Sequence, residues 1–227
     1  MGLLFGSSGP SKLSIVKDNS KEFVEKLHRE DAHFGAVSEF DSSYSVGAAR
    51  KDPSKVKSEI SALSSGGKTA LNDSIIESMK ALRHAQLSGK APIPALLLTF
   101  TDGKENKSSH SLSEVQETID ELGFKPSNGC YFAIAGIGNA SQQDLRDICS
   151  NGRGIYTHTD DDISEAFALF LKATIAVVEG RQSYREIKKK EDKLSLKQLE
   201  RKFKQIRIVR LQYMLNIDTS GSMDNSP

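Results

Sequence analysis

The chain has 227 residues, 37% of them hydrophobic and 27% charged, with a formal net charge of +1. That length holds one large domain, which buries about 70% of the surface of its unfolded chain and needs no disulfide or metal staple. The composition excludes disorder, the near-zero charge excludes a general nucleic-acid binder, and no apolar run approaches the roughly 20 residues of a membrane span. The start, MGLLFGSSGP, lacks the basic and apolar regions of a secretory leader. Cys130 and Cys149 form neither a CxxC pair nor a zinc spacing, so the expectation is a reducing, cytoplasmic compartment and a monomer.

In chain order, residues 12–30 place Leu13, Val16, Phe23, Val24 and Leu27 at helical spacing. HFGAVSEF (33–40), the turn Asp41-Ser42-Ser43 and Tyr44 to Val46 read as a small hairpin. Residues 53–63 read as a helix begun by Pro53, and SSGGKT (64–69) as a loop. A helix over 69–87, opened by Thr69, carries Leu71, Ile75, Met79 and Leu82 on one face. IPALLLTFTDG (93–103) is an unbroken apolar run ending Thr101-Asp102-Gly103, the mark of a strand covered on both faces. A helix over 112–123 stops at a glycine, and CYFAIAGIG (130–138) is a second fully apolar strand. Then come a short helix capped by Ser141, the strand GIYTH (154–158) and a largely apolar helix over 162–178.

Strands alternate with helices, and two strands are buried on both faces. The fold class is therefore α/β, a doubly wound, mostly parallel sheet flanked by helices. Residues 179–206 differ: they are highly charged and read as a helical connector within one domain, 1–227. Lys188-Lys189-Lys190 reads as a solvated face of it. RIVRLQYMLNID (207–218) returns to strand character and ends in Asp218.

The chemistry gathers where strands end. Asp218-Thr219-Ser220-Gly221-Ser222 follows an apolar strand, so one carboxylate and two hydroxyls can converge on a hard cation. Oxygen-only ligands suit magnesium, with calcium or manganese open, and water completes the shell. Thr69 and Asp102 offer two more oxygens in loops at the same sheet edge, where open sheets bind ligands. The set D-x-S-G-S, G-G-x-T-A-L-x-D-S-I and T-D-G resembles that of a von Willebrand factor A domain with a metal-ion-dependent adhesion site, over most of the chain except about 180–205. The resemblance implies that Ser220, Ser222 and Thr69 give hydroxyl oxygens to a cation, with Asp218 and Asp102 bound directly or through water. It implies a Rossmann-like fold and a cation-dependent protein-binding module, not an enzyme, whose partner presents an Asp or Glu to the metal.

The order departs from the family. There the D-x-S-x-S strand comes first; here it comes last, and SKLSIVKDNSKEFVEKL (11–27) is similar to the helix that should follow it. The expectation is a circular permutation, with 179–206 as connector.

Other readings compete. Ala62 to Thr69 nearly matches a phosphate-binding loop, with Lys68 in the lysine position, which would make a metal-dependent nucleotide hydrolase. The first glycine is missing, and a helix precedes the loop. A scaffold with a vestigial site, using the basic helix 181–205, is the third possibility. Gly6 to Ser11 could be a degenerate copy of the motif after Gly2–Phe5, but it has no aspartate. The five histidines, His28, His33, His84, His110 and His158, are scattered and nominate no base. Glu105, Asn106 and Asp224 flank the proposed loops, and Asp73 suits a helix start.

Overall fold

The computed structural model describes residues 10–27, 33–88, 93–160, 162–191, 194–205 and 210–224. Gly2–Gly9, His28, Ile208 and the residues after Asp224 lie outside these, as do the side chains of Lys188–Lys190. One six-stranded sheet organises the chain. Its strands are β1 (Phe34–Phe40), β2 (Tyr44–Val46), β3 (Ala95–Thr101), β4 (Cys130–Ile137), β5 (Ile155–Thr159) and β6 (Gln212–Asp218). The spatial order is β2-β1-β6-β3-β4-β5. All neighbours are parallel except the β1–β2 hairpin. The last strand in the sequence thus lies between β1 and β3, at the centre.

Every residue of β3, β4 and β6 is buried. The period-2 alternation of a strand sends their side chains to two separate cores. Leu96, Leu98 and Phe100 of β3 join Tyr213, Leu215 and Ile217 of β6 on one face. That face is covered by α1 (Lys12–Leu27), α2 (Pro53–Ala62) and α6 (Ile163–Val178). Ala95 and Leu97 join Met214 on the other. There α3 (Leu71–Ser88), α4 (Leu112–Glu121) and α5 (Gln142–Ile148) lie over the sheet. This is the doubly wound α/β architecture that the alternating apolar runs imply.

Local signals explain the helix ends. The Asp52 side chain accepts from Ser54 N, with Pro53 next, to start α2. Ser111 and Glu114 form a capping box at α4. That helix ends at Glu121, and Gly123 follows in the left-handed region at φ +58°.

Two expectations need correction. Thr69 does not open α3; the helix begins at Leu71, and Thr69 stays in the preceding loop. Residues 179–206 are not a single solvated helix. They hold α7 (Tyr184–Glu191) and α8 (Leu196–Gln205), which pack against α6. Tyr184, Ile187, Leu199 and Phe203 are buried in the same core as β6. The Tyr184 hydroxyl also accepts a 2.7 Å bond from the Phe132 N–H. Desolvation of four apolar side chains outweighs the charge of the segment.

Candidate metal centre

The parallel register pairs Phe100 with Ile217. The next residues, Thr101 and Asp218, therefore stand side by side at the carboxyl edge of the sheet, with Asp102 one step further. Asp102 and Asp218 are both fully buried. A buried carboxylate needs donors, and each has them. Asp218 Oδ1 accepts the Ser220 N–H at 2.8 Å, and Oδ2 accepts the Thr101 hydroxyl at 2.6 Å. Asp102 Oδ1 accepts the Ser222 hydroxyl at 2.5 Å, and Oδ2 accepts the Lys12 ammonium at 3.0 Å. The hydroxyls of Ser220 and Ser222 are 2.9 Å apart, closing a chain of contacts between the two carboxylates. Burial pushes the Asp218 carboxyl up to about 6, against the pull of its Thr101 and Ser220 bonds, and the charge of Asp102 adds to the rise.

Thr69 reaches the same edge through its loop. Gly66 N donates to Thr219 O at 2.7 Å, and Gly221 N donates back to Gly67 O at 3.2 Å, so the loop is laced to the end of β6. Asn106 fixes Thr69 on both sides: its Oδ1 accepts Thr69 N, and its N–H donates to Thr69 O, each at 3.1 Å. Thr69 is 2% exposed. A Cβ at Gly103 would collide with its hydroxyl oxygen, so only glycine after Asp102 leaves that oxygen its place.

The five residues expected at the site therefore lie together. Their donors are all oxygen, the chemistry of a hard cation. Neighbouring ligands on an octahedron with bonds of about 2.0–2.1 Å stand about 2.9 Å apart, which is the Ser220–Ser222 spacing. Among the described residues no three His, Cys, Asp or Glu side chains cluster to hold a metal. With two carboxylates, a cation held here would depend on the hydroxyls.

The same geometry argues against a phosphate cradle. Lys68 N donates to Ser42 Oγ at 2.9 Å and Ala70 N to Asp41 O at 2.7 Å. With Gly66 N and Thr69 N also engaged, these N–H groups do not point at a ligand, and α2 rather than a strand precedes the loop.

Flanking polar residues hold loops. Glu105 accepts from the N–H groups of Asn72, Lys107 and Ser108. Asp73 accepts from the N–H groups of Ser109 and His110 at 2.9 Å each, tying α3 to the approach of α4. Asp224 accepts from Ser65. His158 contacts Ala140 O.

Sequence reasoning missed Lys12 and Thr101. Lys12 had a signal: a cation in the first turn of a helix opposes the macrodipole and calls for a local partner. Thr101 had none, because its role depends on the β3–β6 register.

A family model of the von Willebrand factor type A domain matches residues 6–171. Among solved structures, the chain is similar to "von Willebrand factor type A from Catenulispora acidiphila", with 16% identity and a TM-score of 0.52. That likeness covers 69% of this chain and 36% of the other, so the chain spans little over a third of that protein. It is also similar to the conserved hypothetical protein BatB from Bacteroides thetaiotaomicron, again with 16% identity and a TM-score of 0.52, over 71% of this chain and 86% of that one. No curated protein matches. At this identity the structural likeness bears on the fold: a Rossmann-like sheet of the von Willebrand type.

Proposed function

We propose a function for a chain that belongs to the von Willebrand factor type A domain family: a divalent-cation-dependent protein-binding module. One cation, magnesium first among the candidates, is held by Asp218, Ser220, Ser222, Thr69 and Asp102. The observation that carries this is the convergence of oxygens from β6 and β3, with Ser220, Ser222 and Asp102 linked at 2.9 and 2.5 Å beside buried Asp218. When bound, the cation supplies a positive centre with an open position for an Asp or Glu of a protein partner. Thr101 and the Ser220 N–H hold Asp218 in one orientation, and Asn106 holds the Thr69 backbone. With hydroxyls as the direct ligands and the carboxylates acting through water, little negative charge touches the cation, so an acidic ligand is favoured over a neutral one.

The chain is also proposed to be a circular permutant. Its support is the sheet order, with the D-x-S-x-S strand central although last in sequence. The turn Gly221–Asp224 packs against α1, the helix that would follow it in the unpermuted order. The family match covers 6–171 and leaves β6 out, which is compatible with a linear match to a permuted chain.

The oxygens of the site bond to one another, to Thr101 and to Lys12, an arrangement that favours cation binding over catalysis. All five ligands come from one chain, so a monomer suffices. Cys130 and Cys149 are buried thiols, which suits a reducing, cytoplasmic compartment. Among the described residues no helix is long and apolar enough to cross a membrane.

Calorimetric titration with Mg2+ and Mn2+ tests the cation, with Asp218→Ala and Thr69→Ala as controls that should lose binding. An Asp-containing peptide tests the open position: it should change the electron paramagnetic resonance spectrum of protein-bound Mn2+. Mn2+ binding by both variants as tight as by the unmodified chain would refute the site.

A further inference from the structure

The first turn of α1 places a cation inside the site. Lys12 is only 6% exposed, and its Nζ lies 3.0 Å from Oδ2 of Asp102. A Cβ at Gly138, just past β4, would come within 3.1 Å of that Nζ, so the chain closes over the ammonium. The opposite oxygen of Asp102 faces Ser222 and, through it, Ser220. One carboxylate thus stands between a tethered ammonium and the hydroxyls that would hold a metal.

Two carboxylates buried side by side repel each other, and a positive charge nearby offsets that repulsion. Lys12 supplies one charge to Asp102 from within the chain, and its tether keeps that charge at high effective concentration. A divalent ion entering beside Ser222 would meet this ammonium across the same carboxylate, and like charges at that distance repel. The stem of a lysine is long and flexible enough to carry its head group back to water.

We propose that Lys12 is a built-in counter-ion that balances the site when no metal is bound, competes with the divalent cation for Asp102, and leaves that carboxylate when the cation binds. This rests on the cation site proposed above. It makes the site an exchange between a tethered monovalent charge and a free divalent one, with weaker cation affinity than the same oxygens would have alone.

The test is Mn2+ calorimetry on the full chain, unmodified and as Lys12→Met. Methionine keeps the length and helix propensity of the residue without its charge. The variant should bind Mn2+ about tenfold more tightly or better, a factor worth about 1.4 kcal/mol, and should melt at lower temperature without metal. Equal or weaker binding by the folded variant overturns the competition and leaves the cation site standing. No Mn2+ binding by either protein overturns both. A second measurement needs no variant: reductive methylation of the unmodified chain, read by peptide mass spectrometry. Lys12 should label faster when Mn2+ saturates the protein; unchanged or slower labelling overturns its displacement.

Discussion

Asp218→Asn separates what the carboxylate does for binding from what it does to stability. Burial raises the Asp218 carboxyl from an ordinary 3.8 to about 6 in the metal-free fold. Holding it ionised above that pH therefore costs about 3 kcal/mol, at roughly 1.4 kcal/mol per pH unit. Asparagine keeps the shape and removes the charge. Part of the gain is offset, because the amide presents a donor where Thr101 now donates. Thr101 can turn its hydrogen to Gly103 O, 3.3 Å away, and accept from the amide instead. The net expectation is a stabilisation of about 2 kcal/mol near neutral pH, with Mn2+ binding lost. The sign follows from linkage: the folded value lies above the unfolded one, so stability from this group is full below about 3.8 and declines as pH rises to about 6. Urea unfolding in chelator should show the variant close to wild type near pH 4 and more stable near pH 7.5. A variant less stable than wild type near pH 7.5 would mean that the hydrogen bonds to the carboxylate outweigh its burial, and the reasoning fails.

Gly103→Ala should abolish Mn2+ binding, since the new methyl group occupies the place of the Thr69 hydroxyl; calorimetry and circular dichroism together separate this from unfolding. Phe203→Ala should cost about 3–4 kcal/mol, because that ring is buried in the main core. A drop of about 10 °C in melting temperature is expected, whereas a solvated connector would show none. Burial pushes the Asp73 carboxyl up, but bonds from Ser109 and His110 outweigh it and hold it below its ordinary value. Its contribution is present above about pH 4 and is lost as pH falls through that range. Asp73→Ala should therefore destabilise by about 1–2 kcal/mol at neutral pH, and urea titrations should show the gap closing towards pH 3.

The fold was legible where burial is two-sided. The runs in β3 and β4 are apolar without alternation, which only a covered sheet tolerates. The site oxygens were legible because D-x-S-x-S and T-D-G are short, local motifs at strand ends. What could not be read depends on distant pairing. Thr101 acquires its role from the β3–β6 register, and Lys12 from the packing of α1 against the strand tips. Residues 179–206 misled for another reason. Tyr184 and Ile187 are three apart, and Leu199 and Phe203 four apart, both helical spacings. Four apolar positions among many lysines and glutamates are a weak pattern, yet in the fold they decide which face is buried.

The most direct measurement is anomalous difference density from crystals of the unmodified chain grown with Mn2+. A single peak within about 2.2 Å of oxygens from Ser220 and Ser222, with Thr69, Asp102 and Asp218 of the same molecule beside it, is expected. Saturating Mn2+ with no peak there, or a peak completed by β6 of a second copy, would contradict a cation site built within one chain.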